Sequence, residues 1–186
     1  LTYSGVYEAT TAFNGINEFN LSLANYKDID ANFGPISRIV SRNGDLTVFQ
    51  SNRVSQVLFN KSVLYNADGS GNLSQNTNVL GQEVPYQGEF GVTDNPYGIV
   101  NWSDAIYFAD EKRSKVLRLS SNGLSSISDY GMVSWFNDNL HINSNAIAGY
   151  DPVNQQYVLR LSDKVIQWQE GTRKCESFEW LEDTYA

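Results

Sequence analysis

The sequence predicts an all-β protein, a partial β-propeller made of several four-stranded blades with one short inserted helix. Three observations carry this. Aromatic residues make up 13% of the 186 residues, with Tyr 11, Phe 9 and Trp 4, while Pro is only 4; that composition favours short strands joined by polar turns. Apolar residues alternate with period two in short runs rather than at helical spacing. A hairpin pattern recurs along the chain, as propeller blades require, since each blade buries its face only against the next.

The elements follow in order. Leu1 to Asn20 alternate around Tyr3, Val6, Tyr7, Phe13, Ile16 and Phe19, which suits strands pairing with chain outside this window. Strands are expected at Ile36 to Val40, Leu46 to Gln50, Arg53 to Phe59, Ser62 to Tyr65, Ala105 to Phe108, Lys115 to Leu119, Gln156 to Leu161 and Val165 to Trp168. Asn43-Gly44, Asp68-Gly69 and Asn122-Gly123 are turn signals between them. Ser128-Asp129 can cap a short helix that places Met132, Trp135, Phe136 and Leu140 on one face, for packing against the core. Gly171 to Ala186 carry Phe178, Trp180 and Leu181 among acids, as the start of a further strand or a docking segment.

Val48 to Leu58 align without a gap on Tyr107 to Leu117, both reading strand, polar turn, strand, and Tyr157 to Trp168 repeat the grammar with a shorter turn. Phe49 then matches Phe108 at a step of 59, and Tyr107 matches Tyr157 at a step of 50. The implied blades lie around 36–66, 97–128 and 146–169. A closed propeller takes roughly four to eight blades. Residues 1–186 therefore read as a segment of a propeller domain of a larger protein, as does a chain that opens on Leu1 rather than Met.

Charge and rare residues exclude several functions. With 13 Lys plus Arg against 21 Asp plus Glu, the net charge is −8, which argues against a surface that grips nucleic acid by its phosphates. No apolar run approaches the roughly 20 residues of a membrane helix. The single Cys, Cys175, cannot form an intrachain disulfide, and one Cys with one His cannot build a zinc site. A catalytic triad would have to use His141, which sits in Asn139-Leu140-His141-Ile142-Asn143 with no Gly-x-Ser-x-Gly elbow in the chain. His141 reads as a loop or strand-edge residue.

Carboxylate pairs for glycoside hydrolysis could be drawn from Glu83, Glu89, Asp94, Asp104, Asp110 and Asp151, but so many acids produce such pairs by chance, and the expectation is no enzyme, no catalytic residue and no cofactor. Asp68-Gly69-Ser70-Gly71-Asn72 alternates oxygen ligands as a calcium loop does, yet lacks the terminal bidentate acid and fits a Gly-rich hairpin turn better; no metal site is expected. Trp102, Trp168, Trp180 and several Tyr could offer stacking platforms for sugars, although core or blade-contact positions account for most of them.

Two resemblances sharpen the expectation. Asn95-Pro96-Tyr97-Gly98-Ile99-Val100, Ala105 to Asp110, and Lys115-Val116-Leu117-Arg118-Leu119 resemble the NHL-type propeller repeat. Asp110 at a strand end would accept hydrogen bonds from the turn that follows, and Arg118 on the next strand would pair with it. A longer series runs in one order: Asn25-Tyr26-Lys27, Phe33-Gly34-Pro35-Ile36, Leu46 to Gln50, Val79-Leu80-Gly81, Pro85 to Gly91, Tyr107 to Asp110, Val116 to Leu119, Ile127 to Met132, Gly149-Tyr150-Asp151-Pro152 and Gln156 to Leu159. It resembles the muzzle, a large tail protein of crAss-like bacteriophages, and related long tail proteins of marine tailed phages. Its signature positions here are Gly34, Gly91, Tyr107, Phe108, Asp110, Arg118, Asp129, Gly131 and Asp151.

The resemblance implies a structural component of the virion tail, nozzle-like in placement, that assembles with further copies of itself and with adjacent tail or portal-vertex proteins into a ring-like conduit. DNA and ejected proteins would pass without specific binding, and an acidic wall suits that passage. An inward stripe of Arg38, Arg42, Arg53, Lys112, Arg113 and Lys115 would count against it. The alternative is a carbohydrate- or receptor-binding tail domain whose partner is a host-surface glycan.

Overall fold

Residues 1–20, 22, 25–66, 71–162 and 164–179 are described by the computed structural model. Among them the protein forms three four-stranded antiparallel sheets, one two-stranded ribbon and one short α-helix. The ribbon pairs β1 (Tyr7–Glu8) with β2 (Phe13–Asn14). Sheet 1 joins β3 (Ile36–Arg42), β4 (Asp45–Gln50), β5 (Val54–Tyr65) and β6 (Gly71–Pro85); sheet 2 joins β7 (Ile99–Trp102), β8 (Ala105–Asp110), β9 (Lys115–Ser120) and β10 (Gly123–Ser126); sheet 3 joins β11 (Ile147–Asp151), β12 (Gln156–Leu161), β13 (Lys164–Gln169) and β14 (Lys174–Glu179). Within each sheet the strands lie in chain order, every neighbour antiparallel. Helix α1 (Val133–Asn139) lies in the link between sheets 2 and 3.

Every expected strand is present, and the turn chemistry explains where they stop. Asn43 and Gly44 both take positive φ, 52° and 82°, which is the backbone that matches a two-residue hairpin to the strand twist. Gly123 has φ 91° but opens β10, so the turn itself is Ser121 and Asn122. Asp68-Gly69, and with it most of the Gly-rich loop to Asn72, lies outside the described residues, as does Trp180. The expected break between Phe59 and Ser62 is a bulge rather than a turn: Asn60 has φ 53°, the register shifts between Phe59 and Lys61, and β5 runs on through it. Gly81 lies against this bulge so closely that a Cβ would sit 1.9 Å from the Lys61 carbonyl oxygen.

The three sheets stack face to face in chain order, with two apolar interfaces. Val40, Phe49 and Val54 of sheet 1 meet Ile99, Ile106, Phe108, Leu117 and Leu119 of sheet 2. The opposite face of sheet 2, with Tyr107, Ala109 and Val116, meets Tyr157, Leu159, Leu161, Ile166 and Trp168 of sheet 3, and Phe136 and Leu140 of α1 close that core. Each fully buried side chain of this size contributes about 1.5–3 kcal/mol. The outer face of sheet 1 is covered from within the chain: Leu1, Tyr3 and Ile29 pack on Val48, Val57 and Leu80. Thr2 pairs with Tyr26, and β1 pairs with β2, so the N-terminal segment pairs internally, against the expectation that its partners lie outside this window.

Two expectations change. The ungapped alignment treated Phe49 and Phe108, and Tyr107 and Tyr157, as repeats of one another; they are contact partners instead. Phe49 meets Phe108 edge to face with ring centroids 5.1 Å apart, and Tyr107 stacks on Tyr157 at 5.0 Å. The register gives the true equivalence. Ile39 pairs with Val48, Ile99 with Phe108 and Ala148 with Leu159, so Val48, Phe108 and Leu159 occupy matching places and face the same way. A slip of one residue turned every side chain to the other face of its strand. The helix cap also differs: Met132 holds the cap position without a side-chain bond, while the Ser128 hydroxyl accepts from the Val116 N–H and Asp129 pairs with Lys115. Burial of Phe136 and Leu140 holds the helix in place of a cap.

Candidate functional site

The stack has two ends. One carries the turns at 43–44, 103–104, 121–122, 152–155 and 170–173; the other carries the turns at 51–53 and 111–114 and both links between sheets. A six-residue strand such as β8 separates them by about 20 Å.

At the second end, β8 finishes on Asp110, which is buried. Its Oδ1 accepts from the Lys112 and Arg113 N–H groups at 3.1 and 3.2 Å, and its Oδ2 accepts from the Gly91 N–H at 3.0 Å and from Arg113 Nη1 at 3.1 Å. The next residue, Glu111, accepts at Oε1 from Asn95 Nδ2 (2.9 Å), Ser144 Oγ (3.3 Å) and the Ala146 N–H (3.2 Å). Two adjacent carboxylates thus tie β8 to the link from sheet 1, through Gly91 and Asn95, and to the link into sheet 3, through Ser144 and Ala146. Burial raises the Asp110 carboxyl above the ordinary aspartate value, with the Gly91 bond and the Arg113 charge opposing it. Gly91 fits only as glycine, because a Cβ would stand 2.2 Å from the Gln50 carbonyl oxygen. Gly34, at φ 87°, faces the same turn and accepts from Gln50 Nε2 at 2.8 Å.

At the first end, Arg118 does not pair with Asp110. Its Nε donates to Glu170 Oε1 at 2.6 Å, and the Tyr107 hydroxyl donates to the same oxygen. Tyr107 points from β8 toward sheet 3 and Asp110 toward sheet 1, so an arginine beside Tyr107 on β9 is on the wrong face to reach Asp110. Arg118 also lies over the Tyr107 ring, 5.9 Å from its centre. Above it, Trp102, Tyr150, Tyr107 and Tyr157 form a stack with successive centroids 5.1, 5.8 and 5.0 Å apart.

The nine signature positions therefore divide. Gly34, Gly91 and Asp110 gather around the end of β4; Tyr107 and Arg118 meet on Glu170; Phe108 fills the core against Phe49. Asp129, Gly131 and Asp151 stand apart from both groups. Asp129 pairs with Lys115, whose hydrogen bond lowers its carboxyl. Gly131 supplies φ 95°. Asp151 accepts from Asn154 Nδ2 at 2.7 Å and from the Val153 N–H at 2.9 Å, and these bonds lower its carboxyl too.

The six cations are spent locally. Arg38 donates to the Pro96 and Ile99 carbonyls, Arg42 to that of Asp104, and Arg53 covers the Phe33 ring. Lys112 donates to Asn52, Arg113 to Asp110, and Lys115 to Asp129. Arg42 and Lys112 occupy opposite ends of the stack, so the six do not form one stripe. Trp168, a candidate sugar platform by sequence, is buried. Among the described residues no three His, Cys, Asp or Glu side chains gather as metal ligands, and no helix is long and apolar enough to cross a membrane.

No curated protein matches the chain. The family model described as Crassvirus muzzle protein matches residues 19–184, a span that takes in all three sheets and both ends of the stack. The chain belongs to the Crassvirus muzzle protein family and is a component of the virion tail.

Proposed function

We propose that the three sheets are successive blades of a β-propeller, and that the protein assembles through such domains into a ring-like tail conduit for DNA and protein ejection. Its role is assembly rather than chemistry. The observation that carries this is the stacking of three up-and-down four-stranded sheets, in chain order, with their first strands adjacent: Arg38 of β3 donates to the Ile99 carbonyl of β7, and β11 lies against β7 in turn. Face-to-face sheets radiating from neighbouring inner strands are the geometry by which a propeller avoids free edges. The net charge of −8 favours passage of a polyanion over its capture.

Contacts between copies are supplied by the hairpin of β5 and β6. Beyond Phe59 this hairpin outruns β4 and carries Leu64, Tyr65 and Leu73, each at least 59% exposed. A bare two-stranded ribbon is marginal in water, and a neighbouring subunit or an adjacent tail protein would cover it. The test is electron-microscope class averaging of the full-length tail protein. A closed ring with propeller lobes around a channel is the expected result; a discrete monomer or trimer without a channel overturns the conduit.

A further inference from the structure

At the first end of the stack, two clefts between sheets 2 and 3 share a wall. One, of about 400 Å³, opens beside Trp102; the other, of about 420 Å³, opens beside Tyr130. Arg118 and Glu170 line both, so the clefts meet at that ion pair and form one groove running from the first strand of sheet 2 to its last.

Three properties of the groove narrow what it would hold. Its ends are aromatic: Trp102 is 43% exposed and Tyr130 50%. The Trp102 ring is backed by Tyr150 at an interplanar angle of 16°, and below that by buried Tyr107 and Tyr157. A surface indole held from beneath by three stacked rings is immobilised before any ligand arrives, which removes an ordering cost from binding. Next, several of its polar groups are uncommitted. Ser103, Asn122 and Gln155 make no side-chain hydrogen bond among the described residues, and the Arg118–Glu170 contact uses only Nε and Oε1, leaving both Nη groups and Oε2 for a ligand. Lastly, its lining charges are two of each sign, Arg118 and Arg173 against Asp104 and Glu170, with Asp104 also paired with Arg42. A balanced groove does not favour a phosphate polyanion.

Flat aromatic ends present π-faces to the axial C–H groups of a pyranose, while a guanidinium, a carboxylate and amides between them match its vicinal hydroxyls. We propose that this groove binds a neutral oligosaccharide of about three units, with Trp102 and Tyr130 stacking on its outer sugars and the Arg118–Glu170 pair hydrogen-bonding the central one. The site does not depend on ring closure and stands apart from the conduit.

Saturation-transfer NMR on the chain with maltotriose, cellotriose and chitotriose, each at millimolar concentration, tests it. At least one trisaccharide is expected to bind. Trp102→Ala should weaken that binding at least tenfold, and Tyr130→Ala and Glu170→Gln severalfold, while Tyr97→Ala, an exposed ring at the other end of the stack, leaves it unchanged. Gln155→Ala, at an exposed turn, gives the same weakening test without touching the ring stack should Trp102→Ala fail to fold. No signal from any of the three sugars, or undiminished binding by folded Trp102→Ala, or by Gln155→Ala where Trp102→Ala does not fold, overturns the proposal.

Discussion

Replacing Asp110 by Ala removes the acceptor that holds the end of β8 to the link from sheet 1. Two backbone N–H groups lose their partner, those of Gly91 and Lys112, and so does the Arg113 guanidinium, while the Arg113 N–H keeps the Asp110 main-chain carbonyl. The Gly91 N–H is buried, and an orphaned buried donor costs about 1–3 kcal/mol; the Lys112 N–H and the Arg113 guanidinium reach water and cost about 0.5–1.5 kcal/mol each. Relief of a buried charge offsets part of this, because burial already raises the Asp110 carboxyl. A net loss of about 3 kcal/mol follows. For a chain of this size that lowers Tm by about 6–12 °C. Asp110→Asn keeps the Oδ1 acceptor for the turn but turns an amide donor toward Gly91 or Arg113, so its loss should be intermediate. Thermal unfolding followed by near-ultraviolet circular dichroism reads all three proteins. A drop below about 1 kcal/mol for Asp110→Ala, or an Asn variant worse than the Ala variant, would refute the assignment of Asp110 as an inter-sheet tie.

Gly91→Ala should lower the urea midpoint by an amount equivalent to about 3 kcal/mol, whereas Gly149→Ala, with nothing within 4 Å of its Cβ, should stay within about 0.5 kcal/mol; equal effects would contradict the close approach to Gln50. Carboxyl-carbon NMR titration should place Asp110 above the ordinary value of 3.8 and Asp129 and Asp151 below it. The signs then oppose: the contribution of Asp110 is full below 3.8 and is lost as pH rises through its folded pKa, while those of Asp129 and Asp151 are full above 3.8 and vanish as pH falls through theirs. Burial pushes the Cys175 thiol up to about 11, so at pH 8 its reaction with a disulfide reagent should run about 100-fold slower in the folded chain than in urea; comparable rates would show an accessible thiolate. Leu64→Asp with Leu73→Asp should leave the melting temperature within about 3 °C yet weaken self-association in sedimentation; unchanged association would remove the β5–β6 hairpin as a contact.

The inner hairpins were legible in the sequence because both faces of β4 and β8 touch other elements, which selects a dense run of aromatic and apolar residues, and because β12 buries one face in strict alternation. The outer strands were not. Residues 72 to 78 of β6 are almost all Asn, Ser, Gln and Thr, and a polar run carries no apolar alternation to read. β7 has four residues and β11 contains Gly149, too little pattern for a period of two. Asp110 stood out at the end of an apolar strand, and its role in the following turn matches expectation. Glu170 and Glu111 were missed: each acts across a sheet-to-sheet gap, and partners 52 and 35 residues away leave no local trace. The nearest available signals were the adjacent acids Asp110-Glu111 and the Asn95-Pro96 turn. Arg118 was assigned to the wrong carboxylate for the reason that misaligned the repeats, since identity along a strand says nothing about face until register is known.

Sheet 2 is the member of the stack sandwiched on both sides, and this bears on how the chain matures as it leaves the ribosome. Sheet 1 emerges with one face already closed by Leu1, Tyr3 and Ile29, but Val40 and Phe49 must wait for Phe108, about 60 residues later. At roughly 5–20 residues per second, that apolar face stays wet for several seconds. Its cover comes with sheet 2, whose Asp110 also accepts from the Gly91 N–H of the link. A nascent chain stalled before residue 99 should therefore recruit chaperones through Val40 and Phe49, and one stalled just beyond residue 126 through Tyr107 and Val116, which wait in turn for sheet 3.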